Sequence, residues 1–192
     1  MNSLIKGILY IFFNFFLWAV KLWYSTTMYF TQNENYPVQV YDSADKIIEA
    51  MKFGNTWRSD PWGGILDNLY HPTRIQKNID EQEDVGDCDD HAIYWCATLL
   101  KSGLAKRAWI SFYHMEKSGG KISGHVVCVY QDLDGLYYWT DYRRPKPLKY
   151  KHQWYEESSF QRGATPLHAA MIEIKHLKFD DTPVFGRVVK LR

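Results

Sequence analysis

The feature that most constrains this chain is a polar motif that leads directly into an apolar helix. The sequence GDCDDHA occupies residues 86–92, and residues 92–100 continue with apolar side chains at three- and four-residue spacing. Asp87 stands where the N-cap is expected, because its carboxylate can accept hydrogen bonds from the free amides of the first turn. Gly103 is a suitable helix stop, since glycine readily adopts a left-handed conformation. The pattern predicts a core helix with Cys88 in its first turn.

Cys88 is the candidate nucleophile. The positive end of a helix favours a thiolate over a thiol, and reactive cysteines in such positions have pKa values of about 3.5 to 7.5. The alternative is a cysteine that only packs in the core. That interpretation is weakened by the acidic neighbours Asp87, Asp89 and Asp90, which are unusual around an apolar position.

A base and an orienting carboxylate are expected on a β-hairpin downstream. Residues 123–130 and 136–142 are rich in β-branched and aromatic side chains, and Asp134-Gly135 between them favours a tight turn. His125 lies near the start of the first strand and Asp141 near the end of the second. Antiparallel pairing would place them roughly opposite one another. Nucleophilic catalysis at a carbonyl requires a cysteine, a histidine and a carboxylate in such an arrangement.

Three short motifs, GDCDDHA, GHVVCVY and WTDY, together resemble the transglutaminase-like cysteine proteinase superfamily, and most closely its compact bacterial and phage-type members. The resemblance covers about residues 86–142. It implies a papain-like α+β fold in which a core helix packs on an antiparallel sheet. It also implies a triad of Cys88, His125 and Asp141 that carries out acyl transfer at an amide carbonyl. In many members an aromatic residue follows the histidine, whereas Val126 does so here.

The expected reaction begins with attack of Cys88 on a peptide or side-chain amide, while His125 transfers the proton and Asp141 holds the imidazole. We favour hydrolysis, as by a cysteine peptidase or amidase, over crosslinking to a lysine amine, because no sequence feature suggests that water is excluded. The backbone amide of Cys88 is one oxyanion donor. The candidates for a second donor are Gln82, Trp57 and Trp62. The alternative function is a structural or docking protein that retains the fold.

Other histidines and a metal site are weaker candidates. His71 and His114 have no carboxylate placed opposite them by an evident hairpin. The sequence contains no Cys-x-x-Cys or His-x-x-x-His pair, and adjacent helical residues such as those at 88–91 diverge by about 100°. We therefore expect no metal and no cofactor. Asp90 is interpreted as a cap or as an anchor that supports the site from behind, and His91 as a surface or groove residue.

The remaining cysteines are expected to be structural. An odd count of three cysteines does not indicate a disulfide framework. Cys96 belongs to the buried face of the core helix. Cys128 has strand parity opposite to that of His125, so its side chain should point away from the site.

An apolar segment precedes the domain. Residues 4–24 read LIKGILYIFFNFFLWAVKLWY, with Lys6, Asn14 and Lys21 as the strongly polar interruptions. A helix of this length spans roughly 30 Å, which matches the hydrocarbon thickness of a bilayer. We predict that residues 1–24 form a helix that projects from the domain and anchors it to a membrane or docks it on a large protein assembly. A signal peptide is the third alternative, but no small-residue cleavage site follows.

The rest of the chain is interpreted as a linker and a catalytic domain, at residues 25–41 and 42–192. An amphipathic helix should follow Asp42-Ser43, and residues 55–84 are predicted to be an irregular loop that forms one wall of the cleft. The strand at residues 105–114 and the hairpin give at least three antiparallel strands. A net charge of +1 offers no field for nucleic acid, so we expect a protein or peptide substrate and membrane association.

Overall fold

The computed structural model describes residues 19, 21–53, 69–141 and 144–191, which form an α+β fold. Its helices are α1 over residues 21–31, α2 at Ala44–Phe53, α3 at Pro72–Asp80, α4 at Cys88–Lys101 and α5 at Trp154–Gln161. Its strands are β1 at Ala105–Glu116, β2 at Ile122–Asp132, β3 at Tyr137–Thr140, β4 at Lys146–Leu148, β5 at Thr165–Leu177 and β6 at Pro183–Lys190.

The six strands form one sheet in the order β4-β3-β2-β1-β5-β6, and every pairing is antiparallel. The prediction of consecutive antiparallel strands through the hairpin is confirmed. The turn between β2 and β3 contains Gly135 at φ +88°, a conformation that favours glycine. Strand β1 lies in the interior of the sheet, because β5 pairs with the edge of β1 that β2 leaves free.

Alternating side chains divide the core between the two faces of the sheet. Helices α1 to α4 cover one face, where Cys128 and Ile110 join a cluster with the apolar side of α4. The other face packs Trp109 and Val129 against Trp154 of α5. The sheet is therefore buried on both faces, and its two cores are separate.

Helix α4 begins as the sequence predicts. The N-cap Asp87 accepts a hydrogen bond from the backbone amide of Asp89 at 3.3 Å, and the Asp90 carboxylate accepts one from the amide of Asp87 at 3.4 Å. This reciprocal capping satisfies amides that the helix itself leaves unpaired. Gly103, at φ +66°, follows the C-cap residue Ser102. The predicted role of Asp90 as a cap is confirmed.

The predicted irregular loop at residues 55–84 is wrong for residues 72–80, which form α3. The start signal is His71-Pro72: the His71 ring accepts a hydrogen bond from the Thr73 amide, and proline suits the first helical turn. Buried Ile75 and Ile79 then lie one turn apart on the inner face. Residues 54–68, which include the predicted oxyanion donors Trp57 and Trp62, lie outside the described residues.

The predicted linker at residues 25–41 is also wrong over residues 25–31, which continue α1 and pack on the domain. Tyr24 and Met28 are only 5% and 1% exposed and belong to the core cluster around α4. The Thr27 hydroxyl donates to the carbonyl of Leu69. These side chains share one helical face because they are three to four residues apart.

The predicted N-terminal anchor falls mainly on residues 1–18, which lie outside the described residues. Within the part of the chain that the structure describes, no helix has the length and apolarity needed to cross a membrane. The described end of the apolar segment does not project freely, because the Lys21 ammonium donates to the carbonyl of Gly186 at 3.0 Å.

Candidate active site

The candidate nucleophile is the first residue of α4. Cys88 is half-buried, and the two flanking residues Asp87 and Asp89 engage in capping at the same helix end. Backbone amides in a first helical turn point their hydrogens away from the helix and carry its positive partial charge. The local setting is suited to a thiolate or to an oxyanion that forms on a bound carbonyl.

His125 and Asp141 come together, as the hairpin predicts, although their register differs from the expectation. The distance from His125 Nε2 to Asp141 Oδ2 is 3.6 Å, and the side chains are 6% and 13% exposed. The β2–β3 ladder reaches Cys128 paired with Thr140, so Asp141 continues level with Val127. The two groups are thus diagonal neighbours on one face rather than directly opposite, and a diagonal pair remains within side-chain reach.

A third side chain, not predicted from the sequence, joins this pair. Arg162, the C-cap residue of α5, places Nη2 2.5 Å from His125 Nε2 and 3.1 Å from Asp141 Oδ2. Guanidinium has no acceptor atom, so Arg162 donates and Nε2 accepts. The proton of a neutral His125 ring then lies on Nδ1. An arginine followed by a glycine is common at the end of a helix, so no local sequence signal predicts the contact of Arg162 with His125 and Asp141.

The environment of His125 favours its neutral form. The ring makes an edge-to-face contact with Tyr113, directly across the β1–β2 ladder, with the ring centroids 6.0 Å apart. Burial lowers the pKa of His125. The Asp141 carboxylate opposes this effect, whereas the positive charge of Arg162 reinforces it. The balance lowers the pKa of His125 below its ordinary value.

The start of α4 and the His125–Asp141 pair share one electrostatic neighbourhood. The charge of Asp87 raises the pKa of His125, and the charge of Asp141 acts in the same direction on the pKa of His91 in α4. By strand alternation, however, His125 shares the α5 face of the sheet with Val127, whereas the body of α4 packs on the opposite face. The His125 side chain and the body of α4 therefore lie on opposite faces of the sheet, and the link shown between the helix start and the pair is the charge effect on these pKa values.

Two other histidines have structural positions. The prediction of His91 as a surface or groove residue is wrong, because it is 3% exposed, and burial lowers its pKa to about 4. His71 is fully buried; its Nδ1 caps α3 and its Nε2 lies 3.0 Å from the Thr182 hydroxyl. His114, the other alternative base, is exposed on β1, where it pairs with Gly124 and His168 in the neighbouring strands.

Of the predicted second oxyanion donors, Gln82 is the one that lies within the described residues. It is exposed in the turn after α3, at φ +57°, and its backbone amide donates to the carbonyl of Ile79. The backbone amide of Cys88 is the donor that the helix start provides by its position.

Three carboxylates at the start of α4 lie within 4.8 Å of one another, a spacing that would suit a metal ion: Asp87, Asp89 and Asp90. Their hydrogen bonds account for the grouping without an ion. Each accepts from a backbone amide of the helix start, and Asp90 also accepts from the amide of Tyr70 at 2.6 Å. We interpret them as caps that bind α4 to the segment before α3.

Cys96 and Cys128 face each other between α4 and β2. Both are fully buried, and their sulfur atoms are 3.3 Å apart. Burial raises the pKa of the Cys128 thiol well above its ordinary value. Cys128 and His125 lie on opposite faces of β2, as their strand parity predicts.

A cavity of about 360 Å³ opens near the other end of α4. Leu99, Tyr130 and Tyr138 contribute to its lining, together with Arg144. Leu99 is eleven residues beyond Cys88, which corresponds to roughly 16 Å along a helix. This cavity is separate from the candidate active site.

Comparison with models of known protein families and with curated protein sequences found no match for this chain.

Proposed function

We propose that this protein is a thiol-dependent acyl-transfer enzyme with a papain-like, transglutaminase-like fold, acting as a cysteine peptidase or amidase on peptide or side-chain amides. The observation that carries the proposal is the His125–Asp141 pair, largely buried and 3.6 Å apart, whose histidine is influenced by the charge of Asp87 at the start of the helix that bears Cys88. Further support comes from the antiparallel sheet and from the order of the three motifs, which resembles that of the superfamily.

In the proposed mechanism the two ring nitrogens of His125 have separate tasks. Nε2 is the atom nearest to Asp141, so Nδ1 is the atom that serves the nucleophile. When the ring hydrogen is on Nε2, Nδ1 takes the proton of the Cys88 thiol as the sulfur attacks the amide carbon, and later returns it to the departing amine. Asp141 holds the Nε2 hydrogen and stabilises the imidazolium that forms between these two steps.

Acyl transfer also needs stabilisation of the oxyanion and an acceptor for the acyl group. The Cys88 amide, in the first turn of α4, is the donor aimed at the tetrahedral intermediate. Water as the acceptor regenerates the thiol and releases a carboxylic acid. Transfer to a lysine amine would follow the same first half-reaction, so hydrolysis and crosslinking differ only in the second.

The proposal is tested by alkylation of the native protein with iodoacetamide near pH 6, followed by peptide mass mapping. Cys88 should be modified, because a thiolate beside a histidine reacts well below the pH that an ordinary cysteine needs. Cys96 and Cys128 are fully buried and should react only after unfolding.

Two variants provide matched controls. His125→Asn should slow the alkylation of Cys88 near pH 6, whereas His168→Asn, which changes an exposed histidine of β5, should have no effect. Equal labelling of the three cysteines in the native protein, or equal rates in both variants, would contradict the proposal.

A second candidate is a docking protein that retains this fold, and the observation that favours it is the outer face of α1. Leu22, Trp23, Tyr29 and Phe30 are 52%, 42%, 73% and 78% exposed. Exposed aromatic side chains that continue an apolar segment are typical of a membrane interface. We propose that residues 4–24, together with this face, hold the domain at a membrane, a role that is compatible with catalysis.

A further inference from the structure

Arg162 occupies the place beside Nε2 of His125 where the Asp141 carboxylate would accept a hydrogen bond in a working triad. Its Nη2 is 3.1 Å from Asp141 Oδ2, whereas His125 Nε2 is 3.6 Å from the same oxygen. A separation of 3.6 Å is beyond hydrogen-bond distance. Arg162 rather than His125 therefore makes the short contact with the carboxylate. It also makes a short contact with the imidazole, 2.5 Å from Nε2.

This contact determines where the imidazole proton lies. Because Arg162 donates to Nε2, a neutral His125 carries its hydrogen on Nδ1. The Nδ1 atom then has no lone pair with which to accept the thiol proton of Cys88. A second proton on Nε2 would face the guanidinium charge at close range, so the imidazolium is also disfavoured.

We propose that Arg162 is a positioning residue that holds the His125–Asp141 pair in a resting state, and that it must leave Nε2 before acyl transfer begins. The proposal rests on the proposed function, since it assigns Nδ1 to Cys88. On release, Nδ1 loses its proton to solvent and Nε2 gains one from solvent, so the ring stays neutral. Asp141 then accepts from Nε2–H, and Nδ1 becomes the base.

The charged and titratable groups around His125 come from four elements. Asp141 follows β3, Arg162 ends α5, Asp87 caps α4, and Tyr113 lies across the ladder on β1. Arg162 carries the positive charge among these four groups, and its side chain is 31% exposed. An arginine at a helix end can rotate into solvent without disturbing the sheet, because its contacts here are made by the side chain.

The test compares Arg162→Met with the unaltered protein by NMR titration of the His125 ring. Methionine keeps much of the length of the side chain and removes the charge and the donors. Without the guanidinium, the His125 titration midpoint should rise by about 1 pH unit. Alkylation of Cys88 near pH 6 should accelerate about threefold to tenfold, because the freed base promotes the thiolate. Arg187→Met, which changes an exposed arginine on the distant edge strand β6, should change neither quantity.

The two readouts separate this proposal from the proposed function. An unchanged His125 midpoint, or slower alkylation of Cys88, would overturn the resting-state role of Arg162. A raised midpoint without selective reaction of Cys88 in any variant would support the contact and contradict acyl transfer. If Arg162→Met does not fold, Arg162→Lys replaces it in the test. Lysine keeps the positive charge but cannot contact both His125 and Asp141 through a planar fork. It should raise the midpoint by a smaller amount, and no rise would contradict the proposal.

Discussion

At the scale of single residues, Gly86 has a demanding position, because it supports both the helix start and the candidate nucleophile. It adopts φ +97°, and a Cβ atom there would overlap Oδ2 of Asp90. That carboxylate accepts from the amides of Tyr70 and Asp87. A side chain at position 86 would therefore displace the cap that orients the first turn of α4.

We expect Gly86→Ala to destabilise the protein by more than the backbone strain of an alanine at positive φ. Gly119 is the matched control, since it has φ +84° and a Cβ atom added there would have no neighbour within 4 Å. Gly119→Ala should cost about 1–2 kcal/mol from backbone strain, and Gly86→Ala should add the loss of a cap, about 1 kcal/mol or more. Urea denaturation measures both. Equal losses of unfolding free energy would show that Asp90 moves aside without cost.

At the scale of elements, α1 combines two roles on two faces. Its inner face places Tyr24 and Met28 in the core, with 5% and 1% exposure. Its outer face presents Tyr29 and Phe30 to solvent, with 73% and 78% exposure. The described residues 21–24 of the apolar segment thus belong to a helix that packs on the domain.

We expect variants of the two faces to separate stability from membrane binding. Met28→Ala should lower the free energy of unfolding by about 2–5 kcal/mol, because it leaves a cavity. The double variant Tyr29→Ser and Phe30→Ser should stay within about 0.5 kcal/mol of the parent, yet float less with phosphatidylcholine vesicles. If the double variant floats as well as the parent, the outer face of α1 has no part in membrane binding.

At the scale of the whole molecule, buried histidines join distant parts of the fold. The backbone amide of His71 donates to the Thr31 hydroxyl at the end of α1, and its ring lies 3.0 Å from the Thr182 hydroxyl between β5 and β6. His91 is buried within α4. Burial lowers the pKa of each histidine from 6.5 to about 4, so protonation acts against the assembled core.

We expect global stability to be full above pH 6.5 and to fall as the pH is lowered toward 4. In that interval the unfolded chain binds protons that the folded protein excludes, so the free energy of unfolding rises with pH. Each shift corresponds to about 3 kcal/mol at most. His71→Asn keeps an N-cap that does not titrate, and should reduce the pH dependence measured by thermal or urea unfolding. An unchanged slope would show that His71 protonates freely in the folded state.

Elements that depend on neighbouring residues could be predicted from the amino-acid order alone. The cap at Asp87, the apolar periodicity of α4 and the turn before β3 are local signals, and each led to the observed element. The proximity of His125 and Asp141 was likewise predictable, because a hairpin brings its own two strands together. A short helix such as α3 was missed, since its start signal depends on a histidine acting as a cap.

Contacts between side chains from distant segments depend on how the whole chain packs. Arg162 lies 37 residues from His125 and 21 from Asp141 along the chain, and no local pattern specifies that α5 packs beside them. The burial of His91 and Met28 depends in the same way on which surface covers each helix. Capping and periodicity act within a few residues, whereas packing is a property of the whole chain, and the resting state proposed for the site depends on packing.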